Sequence, residues 1–419
     1  MRPNRSRRLS PSCSALVVRE FDCAVIGAGL AGATLAVGLA RCGLRVAAID
    51  ARPPASATAG RDIRGLALAS SSQRLLVALG LWSGLREHLT PIQRVRVSAQ
   101  GHYGSTTLRA ALMGVPALGY VCAADRLLAA LDAALAAAPL LTPFYGTTLH
   151  TLAPAADRVA LQLSSAAGLE HLSARLIVAA DGSHSVVRRH YEIASRQFDY
   201  GQTAVVANLD VEHPEPHTAV ERFTPDGPCA LLPLGGARHV LVRTARSTEA
   251  QALLAASPAA FLADVQARFG WRYGRFSGLG SRRAHPLVLH RAQQLVAPRA
   301  VLIGNAANTI HPNAAQGLNL ALRDVATLLD CLAGTADPGA PAALANYAAQ
   351  RQPDHERTVN FSHGLARLFT LEVPLVGVGR GLTLAACELL PPLRTALMAR
   401  LMGWRAPPND WLRGTHEAN

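Results

Sequence analysis

A glycine-rich loop near the start of the chain limits the fold more than any other feature of the sequence. Gly27, Gly29 and Gly32 form a G-x-G-x-x-G pattern between an apolar segment, residues 21–26, and an alanine-rich segment, residues 30–42. In such a loop the first glycine permits a tight turn, the second lets the backbone approach a pyrophosphate, and the third lets a helix pack closely against a strand. The N-terminus of that helix attracts the negative charge of the phosphates. The pattern therefore predicts a strand–loop–helix unit that binds a dinucleotide.

The rest of the chain predicts an α/β protein with two interleaved parts. A second apolar segment ends on Asp50, close to the ~20 residues beyond the glycines that are expected of a carboxylate that hydrogen-bonds a ribose. Residues 202–244 read as strand after strand, with turns at Pro225-Asp226-Gly227 and Gly235-Gly236 and no helical periodicity. A buried strand returns at residues 300–303. We therefore expect a Rossmann-like nucleotide-binding domain interleaved with an antiparallel β-sheet domain that binds the substrate, followed by a helical C-terminal segment.

The predicted boundaries follow from this layout. The nucleotide-binding domain is expected in three parts, residues 21–98, 119–196 and 290–365. The β-sheet domain takes residues 99–118 and 197–289, and the helical C-terminal region takes residues 366–419. Residues 1–20 are predicted to be a disordered, arginine-rich extension.

Composition excludes several classes of protein. The 419 residues carry a formal net charge of +13, and apart from histidine every basic residue is an arginine. The arginines are scattered and no nucleic-acid-binding motif accompanies them, so we expect no nucleic-acid partner. Neither the seven cysteines nor the histidines show a metal-binding spacing, so we expect no metal and a reducing, cytoplasmic compartment. The opening segment lacks the apolar core of a signal peptide, and no uninterrupted apolar run is long enough to predict a membrane-spanning helix.

Two further motifs narrow the ligand. Asp181-Gly182 follows an apolar segment and precedes a short helical one, and Gly304-Asn305 follows the buried strand at residues 300–303. A loop from Pro312 to Asn319 comes shortly afterwards. With three glycine motifs in this order, the chain resembles the aromatic-ring flavoprotein monooxygenases, which share the para-hydroxybenzoate hydroxylase fold, over nearly its whole length.

Within that family the sequence is most similar to the ubiquinone-biosynthesis hydroxylases, and among them to the 2-octaprenyl-6-methoxyphenol hydroxylases. Asn305 supports this subgroup, because the broad family usually carries an aspartate there. The other segments that carry the resemblance are Asp62-Ile63-Arg64-Gly65-Leu66-Ala67-Leu68, Leu79-Gly80-Leu81-Trp82, Glu221-Arg222-Phe223-Thr224, Gly227-Pro228, Leu231-Leu232-Pro233, Phe269-Gly270-Trp271-Arg272, Gly304-Asn305-Ala306-Ala307 and Arg380-Gly381-Leu382.

The resemblance implies a bound FAD. Asp181 would contact it where pyrophosphate and ribose meet the protein, and Asn305 would hold the ribityl chain and the adjoining phosphate. The loop from Pro312 would wrap the flavin ring, with helix-start N–H groups facing the edge that becomes negative on reduction. The cofactor-binding residues expected on this basis are Gly27, Gly29, Gly32, Asp50, Arg64, Arg126, Asp181, Gly182, Gly304, Asn305, Pro312, Gly317 and Asn319.

The resemblance also implies the reaction and its partners. NAD(P)H would bind transiently as the electron donor, O2 would be the oxidant, and the reduced flavin would hydroxylate the ring of a lipophilic prenylated phenol. The flavin is the reactive centre, and the catalytic side chain is unknown. His311 is a candidate base, with packing inside its own loop as the favoured alternative. Contact with the inner face of the cytoplasmic membrane and a complex with other ubiquinone-biosynthesis enzymes stay open.

Four further features of the sequence bear on the site. Asp181 is either a helix cap or a cofactor contact, and we favour the contact. Ala315 stands where the family usually has glycine, so a left-handed backbone there would strain it by roughly 1 kcal/mol. Cys122-Ala123-Ala124 stands where the subgroup usually carries a Glu-Asn pair. A helical stretch at residues 393–404 either packs on the protein body or contacts a membrane surface; its apolar side comprises Leu393, Leu397, Met398, Leu401 and Met402.

Several rival functions can be weighed against the same motifs. The motifs at Asp181 and Gly304 disfavour a plain NAD dehydrogenase. A prenyl reductase or a halogenase on the same fold is a further rival, but a halogenase would carry a Trp-x-Trp-x-Ile segment, which the sequence lacks. A sister hydroxylase that acts at another ring carbon, and a non-catalytic FAD-binding scaffold within a quinone-making complex, both stay open.

Overall fold

The structure, a computed structural model, describes residues 18–54, 64–101, 104–370, 374–404 and 409–413. Most of the predicted extension at residues 1–20 lies outside these ranges, and the first strand already begins at Arg19. Asp62 and Ile63 of the resemblance also lie outside the described residues.

Strands outnumber helices in the described part of the chain. The strands are β1 (Arg19–Ile26), β2 (Val46–Asp50), β3 (Gly65–Ala69), β4 (Leu89–Ile92), β5 (Arg94–Ala99), β6 (Ser105–Arg109), β7 (Gly119–Ala123), β8 (Leu141–Tyr145), β9 (Thr148–Pro154), β10 (Val159–Ser165), β11 (Gly168–Ala179), β12 (Ser195–Val211), β13 (Thr218–Thr224), β14 (Gly227–Pro233), β15 (Arg238–Arg246), β16 (Phe276–Ser277), β17 (Arg282–Ala292), β18 (Val296–Ala297), β19 (Ala300–Leu302) and β20 (Asn308–Thr309). The helices are α1 (Leu30–Arg41), α2 (Ser70–Ala78), α3 (Ala124–Ala137), α4 (Val186–His190), α5 (Ser247–Ala255), α6 (Pro258–Phe269), α7 (Gln316–Leu332), α8 (Pro341–Thr370), α9 (Pro374–Leu389), α10 (Pro391–Leu401) and α11 (Asp410–Arg413). Short 3-10 helices lie at Ser83–His88, Ala110–Met113, Gly304–Ala306 and Asn313–Ala315.

The first sheet brings the three glycine motifs together. Its strand order is β18-β19-β11-β1-β2-β8, and the five strands from β19 to β8 are parallel. Because parallel strands end at the same edge of a sheet, the loops that follow β1, β11 and β19 meet there. The Ala180 N–H donates to the carbonyl oxygen of Ile26 at 2.7 Å, and the Ile303 N–H donates to that of Ala179 at 3.0 Å. Motifs that are far apart in sequence therefore form one edge.

Local sequence explains where the first unit turns. Gly43, with φ of +83°, follows α1 in the left-handed region that glycine adopts at low cost. The Gly43 N–H donates to the carbonyl of Ala40 at 3.0 Å, and the Leu44 N–H donates to that of Leu39 at 3.2 Å. These bonds use carbonyl groups that the helix end leaves without partners. The chain then enters β2, which ends on Asp50 as the second apolar segment does.

The second sheet is the predicted β-sheet lobe, with one difference in pairing. Its strand order is β20-β17-β12-β15-β14-β13-β5-β6, with β16 beside β12. Most pairs are antiparallel, as predicted, and one pair, β13 with β5, is parallel. The reason is that β5 comes from a distant part of the chain rather than from a hairpin. The helices α5 and α6 were not predicted, and Phe261 and Val265 of α6 cover one face of the sheet.

A three-stranded sheet, β4-β7-β3, lies beside the second sheet. A Cβ atom on Gly65 of β3 would lie 2.6 Å from Cγ2 of Val240 in β15, so only glycine permits this approach. The strand β5 starts at Arg94 and pairs with β6 in the second sheet. The predicted β-sheet domain begins only at residue 99. The predicted domain boundaries stay predictions. The α/β fold class is confirmed, and no helix among the described residues is long and apolar enough to cross a membrane.

Candidate active site

The glycine loop leaves the start of α1 open. A Cβ atom on Gly27 would lie 2.5 Å from the carbonyl oxygen of Ala180, and one on Gly32 would lie 1.9 Å from the carbonyl oxygen of Gly27. A Cβ atom on Gly29 would meet nothing within 4 Å, and no described side chain caps the first turn of the helix. The N–H groups of that turn therefore face space in which an anionic group can bind.

Asp50 lies at the end of β2, where Arg52 binds both of its oxygens. The Arg52 main-chain N–H and Nε donate to Oδ1 at 2.8 Å and 3.1 Å, and Nη2 donates to Oδ2 at 2.9 Å. The same Nη2 donates to the carbonyl of Ala28 in the glycine loop at 3.0 Å. Asp50 thus fixes an arginine that the motif analysis missed. Because Arg52 borders the cavity described below, it adds positive charge beside the glycine loop.

Asp181 caps a helix with one oxygen and leaves the other without a partner. Its Oδ2 accepts hydrogen bonds from the N–H groups of Val186 and Val187 at 2.7 Å and 3.4 Å. Its Oδ1 is buried and has no hydrogen-bond partner among the described residues. A buried acceptor of this kind costs free energy until a ligand or water donates to it. Both interpretations of Asp181 therefore have structural support.

Gly304 and Asn305 follow β19 and lie next to the glycine loop. Gly304 has φ of +57°, and a Cβ atom there would lie 3.4 Å from the Cβ atoms of Ala31 and Ala321. Both residues border the cavity, and the Asn305 side chain is exposed to it. Because an amide both donates and accepts hydrogen bonds, Asn305 can bind hydroxyl groups and phosphate oxygens.

A buried group of charges that the sequence analysis did not identify supports Gly304. Asp324 accepts hydrogen bonds from the Gly304 N–H at 3.1 Å, from Arg351 Nε at 2.8 Å and from His355 Nε2 at 2.5 Å. Arg351 is fully buried and also lies 2.8 Å from Asp354. Burial opposes the ionisation of Asp324, but His355 and Arg351 outweigh it and hold the pKa of this carboxyl below its ordinary value.

The loop expected to wrap the flavin ring contains two left-handed alanines rather than one. Ala314 has φ of +61° and Ala315 has φ of +49°. The strain that the sequence suggested for Ala315 is therefore present, and Ala314 adds to it, at roughly 1–2 kcal/mol for each alanine. The loop keeps this conformation because neighbouring side chains hold it.

Asn319 is one of those side chains. Its Nδ2 donates to the carbonyl oxygens of Ala67 and Ala315 at 2.8 Å and 2.7 Å. Its Oδ1 accepts from the Ala69 N–H at 2.8 Å and from the Ser72 hydroxyl at 2.7 Å. These four bonds tie the loop to β3 and α2. The amide that the sequence assigned to the cofactor is thus occupied by protein partners.

Gln316 connects the same loop to α10. Its Nε2 donates to the carbonyl oxygens of Ala314 at 3.2 Å and of Leu401 at 3.3 Å. The predicted apolar side of this C-terminal stretch divides in the structure. Met398 and Met402 are buried, whereas Leu393 is 44% exposed. The stretch therefore packs on the protein body through its methionines.

His311 packs inside its loop. The ring is buried, Nδ1 accepts from the Asn313 N–H at 3.2 Å, and the ring edge meets Tyr200 with centroids 5.0 Å apart. Burial lowers the pKa of His311 to about 4, although the bond to Asn313 opposes this. The residue does not line the cavity. The geometry thus supports the packing interpretation.

One cavity of about 1270 Å³ joins most of the predicted site residues. Of the predicted set, the cavity is lined by Gly29, Arg64, Arg126, Gly182, Gly304, Asn305, Pro312, Gly317 and Asn319. Gly27, Gly32, Asp50 and Asp181 are not among the residues that line it.

The far part of the same cavity is apolar. Its lining there comes from the second sheet, the β4-β7-β3 sheet and the C-terminal helix, and includes Ile92, Val95, Leu108, Leu118, Met398 and Met402. Of the two described carboxylates that line the cavity, Glu221 of β13 and Asp125 of α3, only Glu221 lies on the second sheet. Sequence reasoning missed these residues because they come from separate segments; only the repeated apolar alternation of the strands hinted at them.

Comparison with known proteins decides the family. The sequence profile of the family described as FAD binding domain matches residues 20–362. The chain belongs to this family. The FAD cofactor predicted from the glycine motifs is therefore confirmed.

Similar proteins agree with this membership. A ubiquinone hydroxylase, UbiL, from Rhodospirillum rubrum is 38% identical over 394 residues, which cover 91% of this chain and 89% of that protein. The 3-demethoxyubiquinol 3-hydroxylase of Escherichia coli is 32% identical over 340 residues, covering 80% and 86%. The crystal structure of p-nitrophenol 4-monooxygenase PnpA from Pseudomonas putida has the same fold, with a TM-score of 0.79, 15% identity and coverage of 93% and 100%. The predicted flavoprotein monooxygenase family and its ubiquinone hydroxylase subgroup are confirmed.

Proposed function

We propose that the protein hydroxylates the aromatic ring of a polyprenylated phenol in ubiquinone biosynthesis. The proposed reaction uses NAD(P)H as a transient electron donor and O2 as the oxidant, and the proposed substrate is a 2-polyprenyl-6-methoxyphenol. The observation that carries this proposal is the continuity of the cavity, whose polar part lies at the glycine motifs and whose apolar part suits a lipophilic ring. The similarity to UbiL supports the substrate class.

The residues that would hold FAD follow from the geometry. The N–H groups after Gly29 would bind the pyrophosphate, and Arg52 would add a positive charge beside it. Each Asp50 oxygen can accept a further hydrogen bond and so bind a ribose hydroxyl. The buried Oδ1 of Asp181 would accept from the cofactor, and Asn305 would bind the ribityl chain. When bound, FAD supplies the electron transfer that activates O2.

The other residues of the predicted set would act around this group. Arg64 and Arg126 border the cavity and would contact the cofactor from its open side. Pro312 and Gly317 would lie against the ring, while Asn319 would fix the loop that carries them. The apolar wall would exclude water and orient the substrate ring, which are tasks that raise the rate of such a reaction.

A sister reaction at another ring carbon is the second candidate. The observation that favours it is the similarity to the 3-demethoxyubiquinol 3-hydroxylase. Contact with a membrane surface is also proposed, because Leu389, Leu390 and Leu393 are exposed. A complex with other enzymes of ubiquinone biosynthesis stays a proposal.

The experiment combines the purified protein with a deletion strain. We expect a yellow protein that oxidises NADPH and consumes O2 faster when a prenylated 6-methoxyphenol is added. The quinone precursor that accumulates in the deletion strain identifies the ring carbon. If the protein is yellow and its loss blocks quinone formation, yet it hydroxylates no precursor, the proposal is wrong. The protein is then a non-catalytic FAD-binding scaffold.

A further inference from the structure

Glu221 is the carboxylate that faces the substrate part of the cavity. The second sheet lines this wall with Ala219, Val220 and Glu221 on β13, Pro228, Ala230 and Leu232 on β14, and Val242 and Thr244 on β15. In the register, Glu221 lies between Ala230 of β14 and Val97 of β5. Its neighbours on its own strand, Ala219 and Phe223, belong to apolar clusters. A carboxylate therefore projects from an apolar wall.

The other charged groups near Glu221 have partners elsewhere. Arg96, Arg222 and Arg243 lie on the opposite face of the sheet, where they bind respectively Glu215, the carbonyl of Arg268, and Asp226 with Asp264. On the same cross-strand row the next charge is Arg283 on β17, four strand spacings or about 19 Å away.

The helices α8 and α9 pack beside Glu221 through apolar side chains. Leu365 of α8 and Leu384 of α9 contact the cluster around Phe223. His363 of α8 lies 3.0 Å from the Tyr200 hydroxyl, and Glu388 of α9 binds Thr106 and Thr107. The remaining titratable groups around the cavity are Arg52, Arg64, Asp125, Arg126 and His285. Burial raises the pKa of Glu221 to about 7.

We propose that Glu221 is the catalytic base that takes the proton from the phenol hydroxyl of the substrate. The proposal rests on the proposed function, because it assumes a phenol in this part of the cavity. No hydrogen bond or ion pair within the described structure engages the Glu221 carboxylate, so it is available to a ligand hydroxyl. A carboxylate whose pKa lies near neutral pH is a suitable base for such a proton.

The step is a proton transfer and changes no oxidation state. The phenol O–H bond breaks, both of its electrons stay on the oxygen, and the proton binds a Glu221 oxygen. The phenolate that results is richer in electrons, which favours attack of the ring on the oxygen atom that O2 supplies. The ring carbon loses its own proton when aromaticity returns. Glu221 then gives its proton back to the product oxygen or to water, so the residue is unchanged at the end.

The test compares Glu221→Gln with Glu221→Asp in the FAD-loaded, full-length protein. Glu249→Gln, on the exposed side of α5, is the matched control. With a short-chain 2-prenyl-6-methoxyphenol, we expect kcat/KM of E221Q at neutral pH to fall by roughly 100-fold or more, since general bases contribute 10²–10⁴-fold. The wild-type kcat/KM should rise through about pH 7, whereas that of E221Q should rise only towards the pKa of a free phenol, near 10.

A second measurement does not depend on turnover. The probe 2-methoxy-4-nitrophenol changes its visible spectrum when it ionises, and it can be added to the oxidised protein. We expect wild type, E221D and E249Q to bind it as the phenolate near neutral pH, and E221Q to bind it in the protonated form. If wild type and E221Q ionise the probe equally, or if E221Q keeps its kcat/KM within about twofold, the proposal is wrong.

The two measurements separate the proposals from each other. A wild-type protein that hydroxylates no prenylated phenol overturns the proposed function, while the probe spectrum still decides whether Glu221 accepts a phenol proton. If E221Q does not bind FAD, E221D and the pH titration of the probe on the wild-type protein decide it. A nitrophenol ionises in the same pH range as Glu221, so the bound probe is compared with the free probe. A bound midpoint in the wild-type protein that differs from the free midpoint and shifts in E221D supports the proposal, and a bound midpoint equal to that of the free probe in both proteins refutes it.

Discussion

Asn319 and Asn305 belong to the same predicted cofactor site, yet replacing each by alanine should affect different thermodynamic quantities. Asn319 is 2% exposed, and its side chain makes four hydrogen bonds to protein groups. Asn305 is exposed to the cavity. We therefore predict that Asn319→Ala lowers the stability of the FAD-free protein, and that Asn305→Ala lowers the affinity for FAD.

The magnitudes follow from the number of groups affected. Asn319→Ala leaves four polar groups without their partner, and each such buried group costs about 1–3 kcal/mol. Because Asn319 borders the cavity, water can reach some of them. We expect the free energy of unfolding to fall by about 3 kcal/mol. Asn305→Ala should change it by less than about 0.5 kcal/mol, as surface substitutions do, and should raise the Kd for FAD roughly tenfold for one lost hydrogen bond.

The assay measures the two quantities separately. Urea unfolding of the FAD-free protein, followed by tryptophan fluorescence, gives the free energy without the contribution of ligand binding. Titration of the same variants with FAD, followed by quenching of flavin fluorescence, gives the Kd. If Asn319→Ala keeps the full stability of the FAD-free protein and only weakens FAD binding, then Asn319 contacts the cofactor directly and the role assigned from its hydrogen bonds is wrong.

Three further predictions test other parts of the site. Ala315→Gly should raise the free energy of unfolding by about 0.5–1 kcal/mol because it relieves the left-handed alanine. As a control, Ala133→Gly on the exposed side of α3 should lower it by a similar amount. If urea unfolding shows that both substitutions change the free energy in the same direction, Ala315 is not strained. Asp324→Asn should cost about 3 kcal/mol because it removes one of the two carboxylates, Asp324 and Asp354, that pair with the buried Arg351. An unchanged urea midpoint would refute the network. Because burial raises the pKa of Glu221, the folded state is stabilised at pH values below the ordinary pKa of 4.5. This stabilisation is lost as the pH rises through about 7. Above pH 7 the Glu221→Gln protein should therefore be more stable than wild type by on the order of 3 kcal/mol, and parallel curves of stability against pH would exclude this.

The glycine motifs were predictable because their chemistry is local. A turn with positive φ at Gly27 and a close helix approach at Gly32 each require glycine whatever the rest of the chain does. The resemblance of the motifs to one family then gave the order of the elements and the FAD cofactor, which the family comparison confirms.

The roles within the site were less predictable, because they depend on partners far away in sequence. Asn319 matched a cofactor motif, but its bonds reach Ala67, Ala69 and Ser72, and nothing near position 319 announces those partners. In the sequence, Glu221 appeared only as one residue of the segment Glu221-Arg222-Phe223-Thr224, which carries part of the family resemblance. Its apolar surroundings arise from a parallel pairing of β13 with β5 that alternation cannot predict, because period-two patterns do not reveal strand direction.

The sequence by itself determined the strand–loop–helix unit, the three glycine motifs and the family to which the chain belongs. The unit and its motifs follow from backbone conformations and periodicities that act over a few residues, and the family follows from the resemblance of the motifs. Only the tertiary structure decided that the ends of β1, β11 and β19 form one edge, that Asn319 holds a strained loop, and that Glu221 faces an apolar cavity. Burial, and with it the pKa of a carboxylate, is a property of everything packed around a side chain, and that becomes defined only when distant segments meet.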